Sequence, residues 1–272
     1  MSEWNAMTFE AKDNLLRVVR REAEGMFAMA EKPDAWERPT MPPGWEVRDV
    51  IGHLVDVTES YFVGFDAARE GPAVPDAYGT PGMAERLNEK AQALRSESQA
   101  DMMARVRSDF EQMMSIEEAL TEKEWSELIV PHFYMGPLPA FFYPAFQLMD
   151  YGVHSWDIRQ GTGRAHGLAG DAADLLAPFM MVLWSATTAV EPDTEPFDAG
   201  VRVTSGPNAA DYRVHIGPDG FAYETGKVDD LPVVFEFDPA SLVLTAFGRV
   251  NAGTYRGDPV LADRFLNVFF RI

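Results

Sequence analysis

The chain has 272 residues, longer than most single domains, and its 46% hydrophobic content is typical of a folded globular protein, so two domains are expected. The formal net charge of −20 at pH 7 argues against nucleic acid and anionic lipid surfaces as partners, because like charges repel. The absence of cysteine excludes disulfides, thiolate metal ligands and a cysteine nucleophile within the chain.

Four long segments in the N-terminal part carry apolar residues at helical spacing. They are predicted to be helices at about residues 9–31, 45–69, 82–120 and 138–160. The third is expected to break near Ser96 and the fourth to kink at Pro144. The segment before the fourth helix, which contains Pro131 and His132, is predicted to be a loop. Amphipathic helices of this number and length predict a four-helix bundle.

The C-terminal part has a different pattern. A glycine-rich linker is predicted at residues 161–167, followed by one more helix at about 170–188. Short alternating runs at 200–204, 212–216, 221–224 and 233–237 predict an antiparallel sheet. Helices at about 239–247 and 260–269 flank a short strand near Thr254. The predicted fold class is α+β, with a helical bundle in residues 1–165 and a smaller α/β domain in residues 166–272.

Three residues on two predicted helices form a candidate metal site. Asp150 and His154 are four residues apart, so both side chains project from one face of the fourth helix. His53 lies near the apolar face of the second helix, where the alternative is a core histidine satisfied by one hydrogen bond. Bundles build metal sites from inward side chains on facing helices. Two histidines and a carboxylate leave a coordination position open, and zinc is the first choice, with nickel, iron and manganese as alternatives.

Other polar residues lie near these candidates. Asp157 is three residues after His154 and either orients that histidine or is a solvated carboxylate. Asp49 and Asp56 stand in a similar relation to the histidine of the second helix. His132 is interpreted as an ordinary loop histidine, with a general acid or base at the mouth of a cleft as the alternative.

Two stretches contain the candidate metal ligands: residues 45–54 read WEVRDVIGHL and residues 150–157 read DYGVHSWD. They resemble the mycothiol-dependent maleylpyruvate isomerase family of the DinB-like superfamily. The resemblance implies that His53, Asp150 and His154 are the metal ligands. The family usually carries glutamate where this chain has Asp150. The shorter carboxylate leaves the identity of the metal open, with a degenerate site as the alternative.

The C-terminal part also resembles a known domain. Residues 246–249, AFGR, and residues 255–258, YRGD, are similar to the sterol-carrier-like α/β domain that follows the bundle in many of these proteins. An arginine of that domain reaches the metal cleft in the family. The resemblance therefore implies that Arg249 is a catalytic residue, with an ordinary exposed arginine as the alternative.

The resemblance implies a metal-dependent enzyme that uses mycothiol as an exogenous thiol. The expected reaction is isomerisation of an unsaturated acid or sulfur transfer to a small electrophile. The alternative is a non-catalytic small-molecule or lipid-binding protein with a structural or degenerate metal site. The expected partner is a small-molecule substrate, with no nucleic acid and no membrane, and the protein is expected to be a monomer or homodimer. A cytoplasmic location is expected, because neither an export signal nor an apolar span of about 18–20 residues occurs.

Overall fold

The computed structural model describes residues 4–69, 71, 73–163 and 166–270. They form two compact units, residues 6–168 and residues 169–270 together with Trp4 and Asn5. The domain boundary predicted after residue 165 stays a prediction, and Arg164 and Ala165 of the predicted linker lie outside the described residues. Among the described helices, none has both the length and the apolar character needed to cross a membrane.

In the described part of the first unit there are four long α-helices, as predicted, with two shorter α-helices between them. The helices are α1 (Lys12–Ala30), α2 (Val47–Arg69), α3 (Met83–Ala93), α4 (Gln99–Ala119), α5 (Glu122–Glu127) and α6 (Phe142–Gly161). The predicted break near Ser96 is confirmed, because α4 begins after Ser98, whose side chain accepts a hydrogen bond from the N–H of Asp101. Pro144 lies in the first turn of α6, where backbone N–H groups have no partner within the helix. The proline therefore costs the helix no hydrogen bond and requires no kink.

The bundle core lies between the long helices. Helix α1 packs along α6, and α2 packs against α3 and α4. Aromatic rings from three helices meet edge to face at the centre, with Phe27 of α1, Phe110 of α4 and Tyr151 of α6 separated by 5.3 to 5.8 Å. This geometry favours aromatic pairs beyond the area that they bury.

Residues 129–139 form a β-hairpin, so the loop prediction for this segment was wrong. Strand β1 (Ile129–His132) pairs antiparallel with β2 (Gly136–Pro139). Three prolines in these strands conceal the strand pattern, because proline lacks the N–H that a sheet interior needs. A two-stranded hairpin tolerates them, since each strand keeps one open edge. Gly136 supplies the positive φ of the turn.

The described residues of the second unit form a five-stranded sheet with four helices. Its elements are α7 (Gly170–Leu176), α8 (Phe179–Thr187), β3 (Phe197–Val203), β4 (Asp211–Gly217), β5 (Gly220–Thr225), β6 (Val233–Phe237), α9 (Pro239–Ala246), β7 (Thr254–Gly257) and α10 (Pro259–Asn267). The strand order is β5-β4-β3-β6-β7. One helix was predicted over residues 170–188. Two are present, because the chain turns before Pro178, which precedes α8.

The sheet is mixed, whereas an antiparallel sheet was predicted. Three of its pairings are antiparallel, but β3 and β6 run parallel. After β5 the chain crosses to the other side of β3 before it forms β6, and Val228 of this crossing packs on β3. A Cβ at Gly200 would lie 2.7 Å from the Val228 side chain, so glycine permits the approach. The fold class is thus α+β, with a helical N-terminal unit followed by a sheet-containing C-terminal unit.

Glu117 of α4 is a buried acid. The residue has no exposed surface, and neither carboxylate oxygen has a hydrogen-bond partner among the described residues. Burial raises its pKa well above the usual 4.5, and the charge of Glu118 adds to this shift while Lys12 opposes it. The folded protein therefore keeps this proton at pH values at which the unfolded chain has released it.

Glu117→Gln is expected to stabilise the protein as the pH rises. The contribution of Glu117 to the stability of the unaltered protein falls by about 1.4 kcal/mol per pH unit above the unfolded pKa and below the raised folded pKa, because the unfolded chain has released this proton there. A neutral glutamine of similar shape removes this loss, so the advantage of the variant vanishes near the unfolded value of 4.5. Urea unfolding between about pH 5 and pH 8 measures the effect. Glu118→Gln, on the surface, is the control, and parallel profiles for Glu117→Gln and the unaltered protein would contradict the prediction.

Candidate metal centre

The start of α2 is held by Asp49. Its carboxylate accepts a hydrogen bond from the backbone N–H of Glu46 at 2.7 Å, and its two oxygens pair with the Arg95 guanidinium at 2.6 Å each. Asp49 is fully buried, so this bidentate pair anchors the helix start. His53 follows one turn later. Asp56, the other carboxylate considered beside it, pairs with a lysine of α3 instead.

Helices α2 and α6 bring His53, Asp150 and His154 together. One ring nitrogen from each histidine and one carboxylate oxygen all lie within 4.8 Å of one another. Nε2 of His53 is 3.7 Å from Oδ1 of Asp150, and the two imidazole rings are 5.0 Å apart and nearly perpendicular. Both histidines are buried and Asp150 is half-buried. The three side chains therefore converge on one point inside the bundle.

Asp157 orients His154. Its fully buried carboxylate lies 2.8 Å from Nδ1 of the histidine. Because a carboxylate only accepts hydrogen bonds, Nδ1 carries the proton and Nε2 presents its lone pair to the cluster. Burial lowers the pKa of His154, while the hydrogen bond to Asp157 acts in the opposite direction. The ring is thus held in the neutral form that binds metals.

The cluster has the donor set of a divalent cation site. No hydrogen bond joins His53, Asp150 and His154 to one another in the described structure, and Nδ1 of His53 is buried without a partner there. Buried polar groups are normally hydrogen-bonded, so convergence without bonding favours an ion at the centre. Tetrahedral zinc holds nitrogen and oxygen at about 2.0–2.2 Å, which places ligand atoms about 3.4 Å apart. The three side chains need only a small inward movement to bind such an ion.

Trp45 covers the two histidines, a role that the sequence did not reveal. Its ring lies 5.5 Å from His53 and 5.9 Å from His154, and it is nearly parallel to the second. The indole N–H donates to Oδ1 of Asn88 at 2.8 Å, which fixes the ring in place. Trp45 begins the first stretch that resembles the family, and that position was the available signal. Its contact with His154 depends on the packing of α6 beside α2.

The remaining candidates belong to other segments of the chain. Arg249 follows α9 in the second unit, where its guanidinium donates to the carbonyl of Phe247 at 3.0 Å, and its catalytic role stays a prediction. His166 contacts a backbone carbonyl of α6 at 3.0 Å. His215 pairs with an exposed carboxylate of β3 at 2.8 Å.

The fold and the cluster define a class of protein, in which a helical bundle with a candidate metal centre precedes a sheet-containing unit. Residues 18–159, more than half of the chain, match the family model described as the mycothiol maleylpyruvate isomerase N-terminal domain. The chain belongs to this family, and the prediction made from residues 45–54 and 150–157 is confirmed.

Solved structures agree with this fold. The crystal structure of the mycothiol-dependent maleylpyruvate isomerase is similar, with a TM-score of 0.60 and 15% identity over 91% of this chain and 95% of that chain. A crystal structure of a variant of that isomerase, with one histidine replaced by alanine, has a TM-score of 0.59 and 14% identity over 91% of this chain and 95% of that chain. At this identity the likeness shows the fold. Among curated proteins, none matches the chain.

Proposed function

We propose that the protein is a metal-dependent enzyme that uses mycothiol, an exogenous thiol, to isomerise a small unsaturated acid. The observation that carries this proposal is the convergence of His53, Asp150 and His154 in the bundle of a chain that belongs to this family. The chain has no cysteine, so the thiol must come from outside. The similar structures are of a mycothiol-dependent maleylpyruvate isomerase, which makes maleylpyruvate the first substrate to test.

The residues of the cluster have separate roles in this proposal. A divalent cation, with zinc as first choice and nickel, iron or manganese as alternatives, supplies the positive charge that lowers the pKa of a bound thiol. His53 and His154 offer neutral nitrogens and Asp150 offers one negative charge, so one positive charge stays uncompensated for an anionic sulfur. Asp157 keeps the proton of His154 away from the centre. Trp45 shields one side of the cluster from water.

Isomerisation of maleylpyruvate by the metal-loaded protein tests the proposal. We expect conversion to the trans isomer only when metal and mycothiol are both present, with mycothiol regenerated at each turnover. Consumption of mycothiol into a stable sulfur adduct would assign sulfur transfer instead. If the protein catalyses neither isomerisation nor sulfur transfer but co-purifies with a lipid or aromatic acid, it is a binding protein and the proposal is wrong.

Asp150→Glu is expected to keep or raise metal affinity, by up to about tenfold. The longer side chain extends the carboxylate towards the two histidines, whereas Oδ1 of Asp150 now stops 3.7 Å from Nε2 of His53. Asp150→Ala should weaken binding, but less than loss of either histidine. Competition with a chelating dye measures the metal affinities of the unaltered protein and of the two Asp150 variants. An Asp150→Ala variant that binds metal as tightly as the unaltered protein would show that this carboxylate is not a ligand.

A further inference from the structure

The β1–β2 hairpin is held firmly against α2. A Cβ at Gly64 would lie 2.5 Å from the carbonyl oxygen of Pro131, so only glycine allows β1 to approach α2 this closely. The hydroxyl of Tyr143 on α6 donates to the carbonyls of Val130 and Pro131 at 3.2 and 3.0 Å. Two long helices thus fix the end of β1, and His132 is the last residue of this strand.

The two ring nitrogens of His132 have different surroundings. Nδ1 accepts hydrogen bonds from the backbone N–H groups of Tyr134 and Met135 at 3.2 and 3.1 Å. Because Nδ1 is an acceptor in both bonds, the proton of the neutral ring is on Nε2. Burial lowers the pKa of His132 to about 4, and the charge of Asp150 opposes this shift only in part. At neutral pH the ring is an uncharged donor through Nε2.

His132 contacts aromatic residues near the face of α6 that carries Asp150. Its ring is 5.2 Å from Phe146 and 5.9 Å from Tyr61. Phe146 is one turn before Asp150 on the same face of α6, and the Asp150 charge acts on both His132 and Tyr61. Among the described residues, Nε2 of His132 and the hydroxyl of Tyr61 have no hydrogen-bond partner. Neither atom is among the fully buried polar atoms without a partner, so both donors are accessible to a bound ligand that supplies an acceptor.

We propose that His132 is a substrate-binding residue whose Nε2–H donates a hydrogen bond to a carboxylate or carbonyl oxygen of the small acid bound at the metal cluster. The hydroxyl of Tyr61, whose ring is 5.9 Å from that of His132, is the second donor. Both groups are uncharged donors, so they select oxygen acceptors and disfavour cationic ligands. This inference rests on the proposed function, because it takes an acid as the ligand beside His53, Asp150 and His154.

Two substitutions distinguish the roles of the two ring nitrogens of His132. In His132→Asn the amide oxygen replaces Nδ1 as the acceptor of the turn, but no donor reaches the position of Nε2. In His132→Gln the longer amide places an N–H near the position of Nε2, and the support of the turn is lost. A role in the turn predicts that asparagine preserves binding. A role in ligand binding predicts that glutamine preserves it.

Calorimetric binding of maleate to the zinc-loaded full chain is the test, since maleate is a cis diacid without the reactive ketone. We expect His132→Asn to bind about tenfold more weakly than the unaltered protein, with the same Tm and zinc affinity, and His132→Gln to bind within about threefold of it. Equal maleate affinity in the unaltered protein and His132→Asn would overturn the inference alone. If the unaltered protein binds no maleate while it holds zinc, both the inference and the proposed function fail.

Discussion

His53→Ala is expected to abolish tight metal binding and leave the bundle folded. One of three ligands is lost, and since loss of an outer hydrogen-bond partner alone costs 10- to 100-fold in metal affinity, we expect a loss above about 100-fold. The fold should tolerate the change, because Nδ1 of His53 is buried without a partner and the substitution strands no other polar group among the described residues. Metal content after dialysis and far-ultraviolet circular dichroism measure the two effects.

His154→Ala should remove the metal equally but also lower Tm. Its loss removes the hydrogen bond of 2.8 Å between the histidine and the buried carboxylate of Asp157, and a buried charge that loses a hydrogen bond is destabilised. His215→Ala is the matched control, because that histidine is exposed and lies on β4 of the other unit. Full metal occupancy in both His53→Ala and His154→Ala would place the centre elsewhere and remove the basis of the proposed function.

The three candidate ligands could be predicted from the sequence because the spacing of residues on a helix determines which side chains share a face. Asp150 and His154 are one turn apart, so any structure with this helix presents them together. The apolar pattern around His53 placed that residue towards the core. What the pattern could not give was the packing of α2 beside α6, and the resemblance to a family supplied that step.

Contacts between distant segments explain most of what the sequence left open. Asp49 was indistinguishable from surface charge because its partner, Arg95, is 46 positions away. His132 was interpreted as an ordinary loop residue because the prolines around it conceal a hairpin. The parallel pairing of β3 with β6 depends on where the chain crosses the sheet, and alternation within each strand contains no information about direction.

Mycothiol added to the Co²⁺-substituted protein is expected to produce an intense near-ultraviolet sulfur-to-cobalt charge-transfer band. The chain contains no thiolate of its own, since cysteine is absent, so a new thiolate-to-cobalt band reports the added thiol. The S-methyl derivative of mycothiol, which has no ionisable thiol, should leave the spectrum unchanged. The band and its titration give the affinity directly, without any catalytic assay.

The affinity of the metal-loaded protein for mycothiol is expected to rise with pH. The metal binds thiolate, so binding releases a proton and the apparent affinity rises about tenfold per pH unit until the free thiol ionises near its usual pKa of about 8.5. His154 does not compete for protons in this range, because burial lowers its pKa. If other small thiols bind equally well, mycothiol is not the cofactor but the metal centre remains. If no thiol changes the spectrum at any pH, a thiol mechanism is wrong, and the open position is better assigned to a water nucleophile.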